Sequence, residues 1–397
     1  MTAPPSSGPS CPVCPVCDSA GAECFLERDA VPVHQNLLLR ERAAARATTR
    51  GRLAMHVCGA CGFVFNAAFD PARLAYGQDY DNTQTHSPAF EAYVDGLVGQ
   101  MVERHGVRDA HVVEVGCGKG GFLRKLVTWP GSGNTGTGFD PSYVGPDQDL
   151  DGALRFERRF YDAACASVAA DVVVCRHVIE HVPAPLDLLR SVRQALARRP
   201  RARVHFETPC VAWILRHQVT WDLFYEHCSL FCAGSLRLAF ERCGFSVDAV
   251  EAVFGDQYLW LRGGVEAAAA HRPVDGAQIR EWALAYGRQE RQHRARWDED
   301  LERLCRQGPV AVWGAGAKGV TFASLVDPVG ERLDCLVDLN PAKQGCHVPA
   351  SAQPILAPEA LSARGVRHVI LMNPNYRQEV QRWLDASGCR TELIEWS

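Results

Sequence analysis

Two periods of apolar residues alternate along this chain, and the changes from one to the other mark its elements. FEAYVDGLVGQMVERHG, starting at Phe90, has helical spacing, whereas HVVEV, starting at His111, is a short apolar run that reads as a strand. A glycine-rich turn leads into FLRKLV, again at helical spacing, and GTGFD supplies a short strand ending in Asp140. ADVVVCRHVIEH, RARVHFETP and the pair GFSVDAVEAV and YLWLRGG continue the series to Gly264. Strand and helix in turn predict an α/β unit with a parallel sheet wound on both faces, its ligand held at the carboxyl ends of the strands.

Beyond this unit a polar, helix-forming connection, REWALAYGRQERQHRARWDEDLERLCRQG, leads to PVAVWGAGAKGVTF, where strand, glycine turn and helix recur. LDCLVDLNPAKQG and VRHVILMNPNYRQEV each add a strand. The expected division is a small N-terminal module over 1–75, a central Rossmann-like domain over 76–261 and a second Rossmann-like α/β domain over 262–397.

Composition narrows the partners. The chain has 397 residues, 47% of them hydrophobic, which leaves room for two or three domains with ordinary cores. A net charge of -4 gives no general pull toward nucleic acid or anionic lipid. With no basic segment followed by an apolar stretch at the start, and no apolar run near 18 residues, a cytoplasmic protein without membrane spans is expected. In that compartment the 17 cysteines read as metal ligands, reactive thiols or core residues before disulfides.

Five of those cysteines stand out by spacing. CPVCPVC places Cys11, Cys14 and Cys17 three residues apart, and HVCGACGF supplies Cys58 and Cys61. Two CxxC knuckles present four thiolates tetrahedrally, which suits a structural zinc ion with no open position. Cys14, Cys17, Cys58 and Cys61 are the expected set; Cys11 or Cys24 remains an alternative for one ligand.

VVEVGCGKGGFL carries the next signal. Four glycines directly after a strand let the backbone approach a ligand. An acid, Glu114, precedes the first glycine, and Asp140 ends the following strand. This arrangement resembles class I S-adenosylmethionine methyltransferases. The resemblance implies cofactor contacts from Glu114, Gly116, Cys117, Gly118, Gly120, Asp140 and His177, with Tyr161 and Asp162 flanking the adenine. Two further clusters carry acid and base groups: CRHVIEHVPAP with His177, Glu180 and His181, and WDLFYEHCSLF with Tyr225, Glu226 and His227. A histidine beside a carboxylate can be tuned for proton abstraction near neutral pH, and it can equally be a half-buried cap. GAGAKG contains a single GxG, so it is a weak nicotinamide signal, and a phosphate site using Lys318 is the other reading.

Taken together, the paired CxxC knuckles, Glu226-His227 and the run WGAGAKG…VDLNPAKQGCHVP resemble the zinc-containing sugar C-methyltransferases of deoxysugar and antibiotic biosynthesis. The resemblance covers nearly the whole chain. It implies methylation of the carbon next to the ketone of a nucleotide-linked 4-keto sugar, through an enolate formed by His227. Glu226 would orient that base or hold a sugar hydroxyl, and His181 would place or polarise the carbonyl. The family often reads Tyr-His-Glu-His where this chain has Phe224-Tyr225-Glu226-His227, so Tyr225, Tyr76 and Tyr80 are all candidates for the phenol. The implied partner is a small molecule, and a monomer or homodimer is expected. Alternatives are a C-, O- or N-methyltransferase for another natural-product intermediate and a nicotinamide oxidoreductase or nucleotide-binding protein using GAGAKG.

Overall fold

The computed structural model describes residues 12–74, 79–81, 86–266, 274 and 276–395. Near the N-terminus, β1 (Glu23–Pro32), β2 (Arg50–Val57) and β3 (Val64–Asn66) form an antiparallel meander. The central unit contributes β4 (His111–Val115), β5 (Thr135–Phe139), β6 (Gln148–Asp149), β7 (Leu154–Glu157), β8 (Val172–Arg176), β9 (Arg203–Pro209), β10 (Ser229–Leu230), β11 (Ser246–Val253) and β12 (Tyr258–Gly264). Eight of these make one sheet in the order β11-β12-β9-β8-β4-β5-β7-β6. The strands from β9 to β7 are parallel, as the alternation predicts.

The pair at the end of the sheet departs from that expectation. β12 runs antiparallel to both β9 and β11. Only Phe254–Gln257 join β11 to β12, and a connection that short can link only antiparallel neighbours. Phe254, Gly255 and Asp256 all take left-handed backbone to make the turn.

β10 joins a different sheet from the other strands of the central unit. Ser229 pairs with Phe65 and Leu230 with Val64, so the segment after His227 becomes the edge strand of the N-terminal sheet. The loop carrying Glu226 and His227 is thereby fixed by backbone hydrogen bonds to a different module.

In the last unit, β13 (Val310–Trp313), β14 (Leu333–Val337), β15 (Ile355–Leu356), β16 (His368–Leu371) and β17 (Glu392–Glu395) form a wholly parallel sheet in the order β15-β14-β13-β16-β17. The polar connection is a single helix, Ala277–Gln307. It is the longest in the described structure, and none of the described helices is long and apolar enough to cross a membrane.

This helix locks the units together. One apolar cluster runs from Phe25 and Leu53 through Trp221 and Tyr225 to Trp297, Val312 and Phe322. Beside it, Arg28 sits 3.2 Å from Glu290 and also donates to the carbonyl oxygens of Leu223 (2.8 Å) and Thr220 (3.1 Å). The guanidinium is buried, and these partners meet the requirement that buried charge be paired and hydrogen-bonded. Helix and strand approach so closely at Gly287 that a Cβ there would overlap the Phe25 carbonyl oxygen.

That contact gives a test of sign. Alanine normally favours an exposed helix over glycine by about 1 kcal/mol. At position 287 the clash meets backbone, which cannot swing aside, so Gly287→Ala should instead destabilise by on the order of 1–3 kcal/mol. The denaturation midpoint should fall; a raised midpoint would show that the helix is not packed on β1 in solution.

Candidate active site

At the carboxyl end of β4 the chain turns through Gly116, Gly118 and Gly120, with φ of 70°, 54° and 77°, a region that favours glycine. The amides of Gly116 and Cys117 bond to the Phe139 carbonyl (2.8 and 3.1 Å), tying the turn to β5. Asp140, at the end of that strand, accepts from the Gly118 amide (2.8 Å) and from the Ser142 amide (2.7 Å) and hydroxyl (2.6 Å). A Cβ on Gly116 would run into Val178, and one on Gly120 into Phe156, so Gly120 shapes the entry to helix Gly121–Thr128.

These residues wall an open cleft of about 420 Å³. Glu114, Gly116, Cys117, Gly118, Asp140 and His177 all line it. Burial pushes the Glu114 carboxyl up to about 8, against the pull of Arg176, and its Oε2 has no hydrogen-bond partner among the described residues. Tyr161 also faces the cleft, edge-on to Phe139 at 5.3 Å. Asp162 is placed elsewhere: its exposed carboxylate pairs with Arg159 (3.0 Å) and accepts from the Ala164 amide (2.8 Å). The local turn uses its polar atoms.

A second cleft, of about 220 Å³, opens between the central sheet, the loop around residues 222–227 and the glycine turn after β13. Tyr80, His177 and His181 line both clefts, so the two meet at these three side chains.

Electrostatics divide the histidines at this meeting point. His177 follows β8 with left-handed backbone, φ 54°. Its Nδ1 is 3.5 Å from Glu180 and its Nε2 3.5 Å from Glu207. Burial opposes charge on this ring, but the two carboxylates outweigh it and raise its pKa to about 9. Glu207 is fully buried, which alone would raise its pKa. Arg176 (2.5 Å), His177 and the Tyr93 hydroxyl (2.5 Å) reverse that and hold it at about 2.

His181 and His227 go the other way. Burial lowers both, only partly offset by Glu180 at His181; at His227 the neighbouring His181 and His177 add to the effect and take it well below the usual range. Their rings meet edge to face at 4.9 Å, and His227 lies against Phe224 at 3.9 Å. The His181 ring is anchored by the Glu226 carbonyl. One ligand atom from each of Glu180, His181 and His227 falls within a 4.8 Å span, and the charge of Glu180 is already answered by His177 and by the Thr208 hydroxyl at 3.1 Å.

The Tyr225-Glu226-His227 run is split three ways. His227 faces the second cleft. Tyr225 points away from it, buried against Phe69, and its hydroxyl accepts from the Asp70 amide at 2.9 Å. Glu226 is fully buried, accepts from the Gln35 amide (2.8 Å) and reaches the Tyr80 hydroxyl. Burial, then Glu226, raises Tyr80 well above the ordinary phenol range, which keeps it protonated. Tyr76 lies outside the described residues.

The C-terminal glycine turn repeats the logic of the first: Gly314 donates to Val337 (2.8 Å) and Ala315 to Asp338 (2.8 Å). Lys318 is engaged with the Asp222 carboxylate and lies 5.5 Å above the Trp213 ring. The second cleft also takes Asn36, Gln257, Lys343, Asn373 and Tyr376. Sequence reading did not assign them to the site, because they come from three separate units and carry no local spacing. Glu207 was missed too, although an acid at the carboxyl end of a buried strand was a usable signal.

At the N-terminus, Cys14, Cys17, Cys58 and Cys61 converge, with sulfurs 3.7 Å apart for Cys14 and Cys61 and 3.5 Å for Cys17 and Cys58. Cys24 is exposed on β1 and Cys11 is outside the described residues.

Comparison with known proteins accords with this geometry. A methyltransferase-domain model matches residues 90–250, and a C-methyltransferase C-terminal-domain model matches 269–390. The C-methyltransferase NovU of Streptomyces niveus is 27% identical over 305 residues, covering 72% of this chain and 71% of that protein. A ubiquinone biosynthesis O-methyltransferase from Escherichia coli is 32% identical over 118 residues, 28% of this chain and 48% of its own length. Among solved structures, an O-methyltransferase family protein from Burkholderia thailandensis superposes with a TM-score of 0.36 at 16% identity, over 49% of this chain and 65% of that one. Magnesium protoporphyrin IX methyltransferase from Synechocystis, solved with bound SAH, gives 0.33 at 17% identity, over 44% and 83%. The chain is an S-adenosylmethionine-dependent methyltransferase, and the two matched models together with NovU support a C-methyltransferase family.

Proposed function

We propose that the enzyme methylates the carbon next to the ketone of a nucleotide-linked 4-keto deoxysugar. The observation that carries this reading is the meeting of two clefts at Tyr80, His177 and His181, with a neutral histidine, His227, on the far side of the junction. The glycine turn, Asp140 and the unpartnered Glu114 oxygen suit the amine and hydroxyl groups of S-adenosylmethionine, which supplies an electrophilic methyl group on sulfur. In the second cleft His227 takes the proton from the carbon beside the carbonyl. The enolate carbon then forms its bond to the methyl carbon as the carbon–sulfur bond breaks and the electron pair leaves with sulfur. His181 and the Tyr80 hydroxyl face the same space and are suited to hold the carbonyl oxygen. Glu226 serves Tyr80 and Gln35 in this reading and does not orient the base.

Positioning is the larger contribution. Holding the two carbons at near-attack distance is worth roughly 7–11 kcal/mol, whereas general-base help adds about 10²- to 10⁴-fold. We also assign a structural zinc ion to Cys14, Cys17, Cys58 and Cys61. Thiolates bound tetrahedrally to zinc at about 2.3 Å stand about 3.8 Å apart, close to the spacing of these sulfurs.

Three outcomes test these readings. His227→Asn should lower turnover on 4-keto sugar nucleotides by about 10²-fold or more while the donor dissociation constant holds; in heavy water, deuterium exchange at the acceptor carbon should vanish with it. Undiminished turnover would remove His227 as the base. Because burial and its neighbours lower His227, the base stays unprotonated as pH falls through the usual histidine range, so the acidic limb of kcat should lie below about 6.5; a limb above that value would point to another group. Finally, purified protein should hold one zinc ion per chain, and Cys58→Ser should lose both the ion and much of the denaturation midpoint. A wild-type protein devoid of zinc and equally stable would remove the metal.

A further inference from the structure

The N-terminal module contributes a side chain, Asn36, to the second cleft beside Tyr80. After β1 the chain runs through Val33, His34, Gln35 and Asn36, all buried. The backbone here pairs with the segment carrying Tyr80: Leu38 donates to Asp79 (2.9 Å), Asp81 donates to Asn36 (2.9 Å), and Leu37 and Tyr80 form an antiparallel bridge.

The side-chain amide of Asn36 is used at both ends. Its Oδ1 accepts from Lys343 Nζ at 3.1 Å, and its Nδ2 donates to the Tyr80 hydroxyl at 3.5 Å. Lys343 is itself buried and donates also to the Ala315 carbonyl (3.1 Å) in the C-terminal glycine turn. An ammonium has donors only, so it fixes which end of the amide faces it. The Asn36 NH₂ must then turn toward Tyr80, whose oxygen accepts and whose proton is left for Glu226. The result is a polarised run from Ala315 through Lys343, Asn36 and Tyr80 to Glu226, which is steadied by the Gln35 amide.

We propose that Asn36 is a positioning residue that acts through Tyr80, fixing the direction of its hydroxyl in the opening shared by the donor and acceptor clefts. Its kinetic consequences rest on the function proposed above; the orientation of Tyr80 does not. Docking of the C-terminal unit, through Lys343, thereby becomes a condition for aligning a group beside the reacting atoms. Asn36→Ala removes both contacts without adding charge, whereas Asn36→Asp keeps the acceptor for Lys343 and exchanges the donor to Tyr80 for a carboxylate.

The test uses full-length protein labelled with carbon-13 at tyrosine Cζ, with the Tyr80 resonance assigned by its loss in Tyr80→Phe. In Asn36→Asp and Asn36→Ala the Tyr80 resonance should move while those of the remote Tyr143 and Tyr286 hold. This readout needs no acceptor, so it survives a wrong substrate assignment. Turnover should fall on the order of 10- to 100-fold at unchanged donor affinity. In a Tyr80→Phe background, Asn36→Ala should cause no further loss. An unmoved Tyr80 resonance, or losses that multiply in the double variant, would overturn the proposal.

Discussion

The fully buried carboxylate of Glu207 is the constraint on which the active-site floor depends. A charge taken out of water must find partners, and here it has the Arg176 guanidinium, the Tyr93 hydroxyl and the His177 ring. Arg176 ends β8 and is held over the Phe122 ring at 4.5 Å. His177, the next residue, reaches Glu207 only by adopting left-handed backbone, a conformation that a non-glycine residue keeps when its surroundings over-determine it. That bend carries the chain across the end of the sheet, so that His177 and His181 face both clefts while Glu180 turns back beneath them.

From this arrangement follows a separation of charge among chemically identical side chains. Two carboxylates make His177 a cation, and burial beside that cation keeps His181 and His227 neutral. Environments that drive titratable groups apart are a means of assigning roles within one site. The neutral pair can take protons and the cation cannot. His177 is thus suited to shaping potential at the junction, with its ring nitrogens 3.5 Å from Glu180 and Glu207.

Much of this was legible in the chain, and the limits of legibility are physical. The glycine turn with Glu114 and Asp140 was readable because a strand, a sharp turn and an acid at a strand end are local features. The cysteine knuckles were readable for the same reason. The antiparallel end of the sheet was not read, since periodicity shows strands but not their direction; only the four-residue turn reveals it. The Tyr225-Glu226-His227 run shows the sharper limit. Adjacent residues were read as one cluster, yet the backbone sends Tyr225 into the N-terminal core, Glu226 toward Gln35 and His227 into the cleft. Asp162 likewise has the right type and address, but its turn takes up its oxygens.

Why the site needs three units follows from what each one can hold. The central sheet ends in an open edge and can bury one side of a ligand. The N-terminal sheet recruits β10 and so ties the loop behind His227 down by backbone hydrogen bonds. The C-terminal unit closes the other side, with Asn373 bonded to Gln257 (2.9 Å) and Asn375 to the Phe254 carbonyl (2.8 Å) at the β11–β12 turn. Tyr376 adds an apolar contact there, its ring 6.1 Å from that of Phe254, and Ser87 donates to Glu379 at 2.7 Å. The same unit shares the apolar cluster of Phe25 and Trp221 through Val312 and Phe322, so the wall of the second cleft is held by packing as well as by hydrogen bonds.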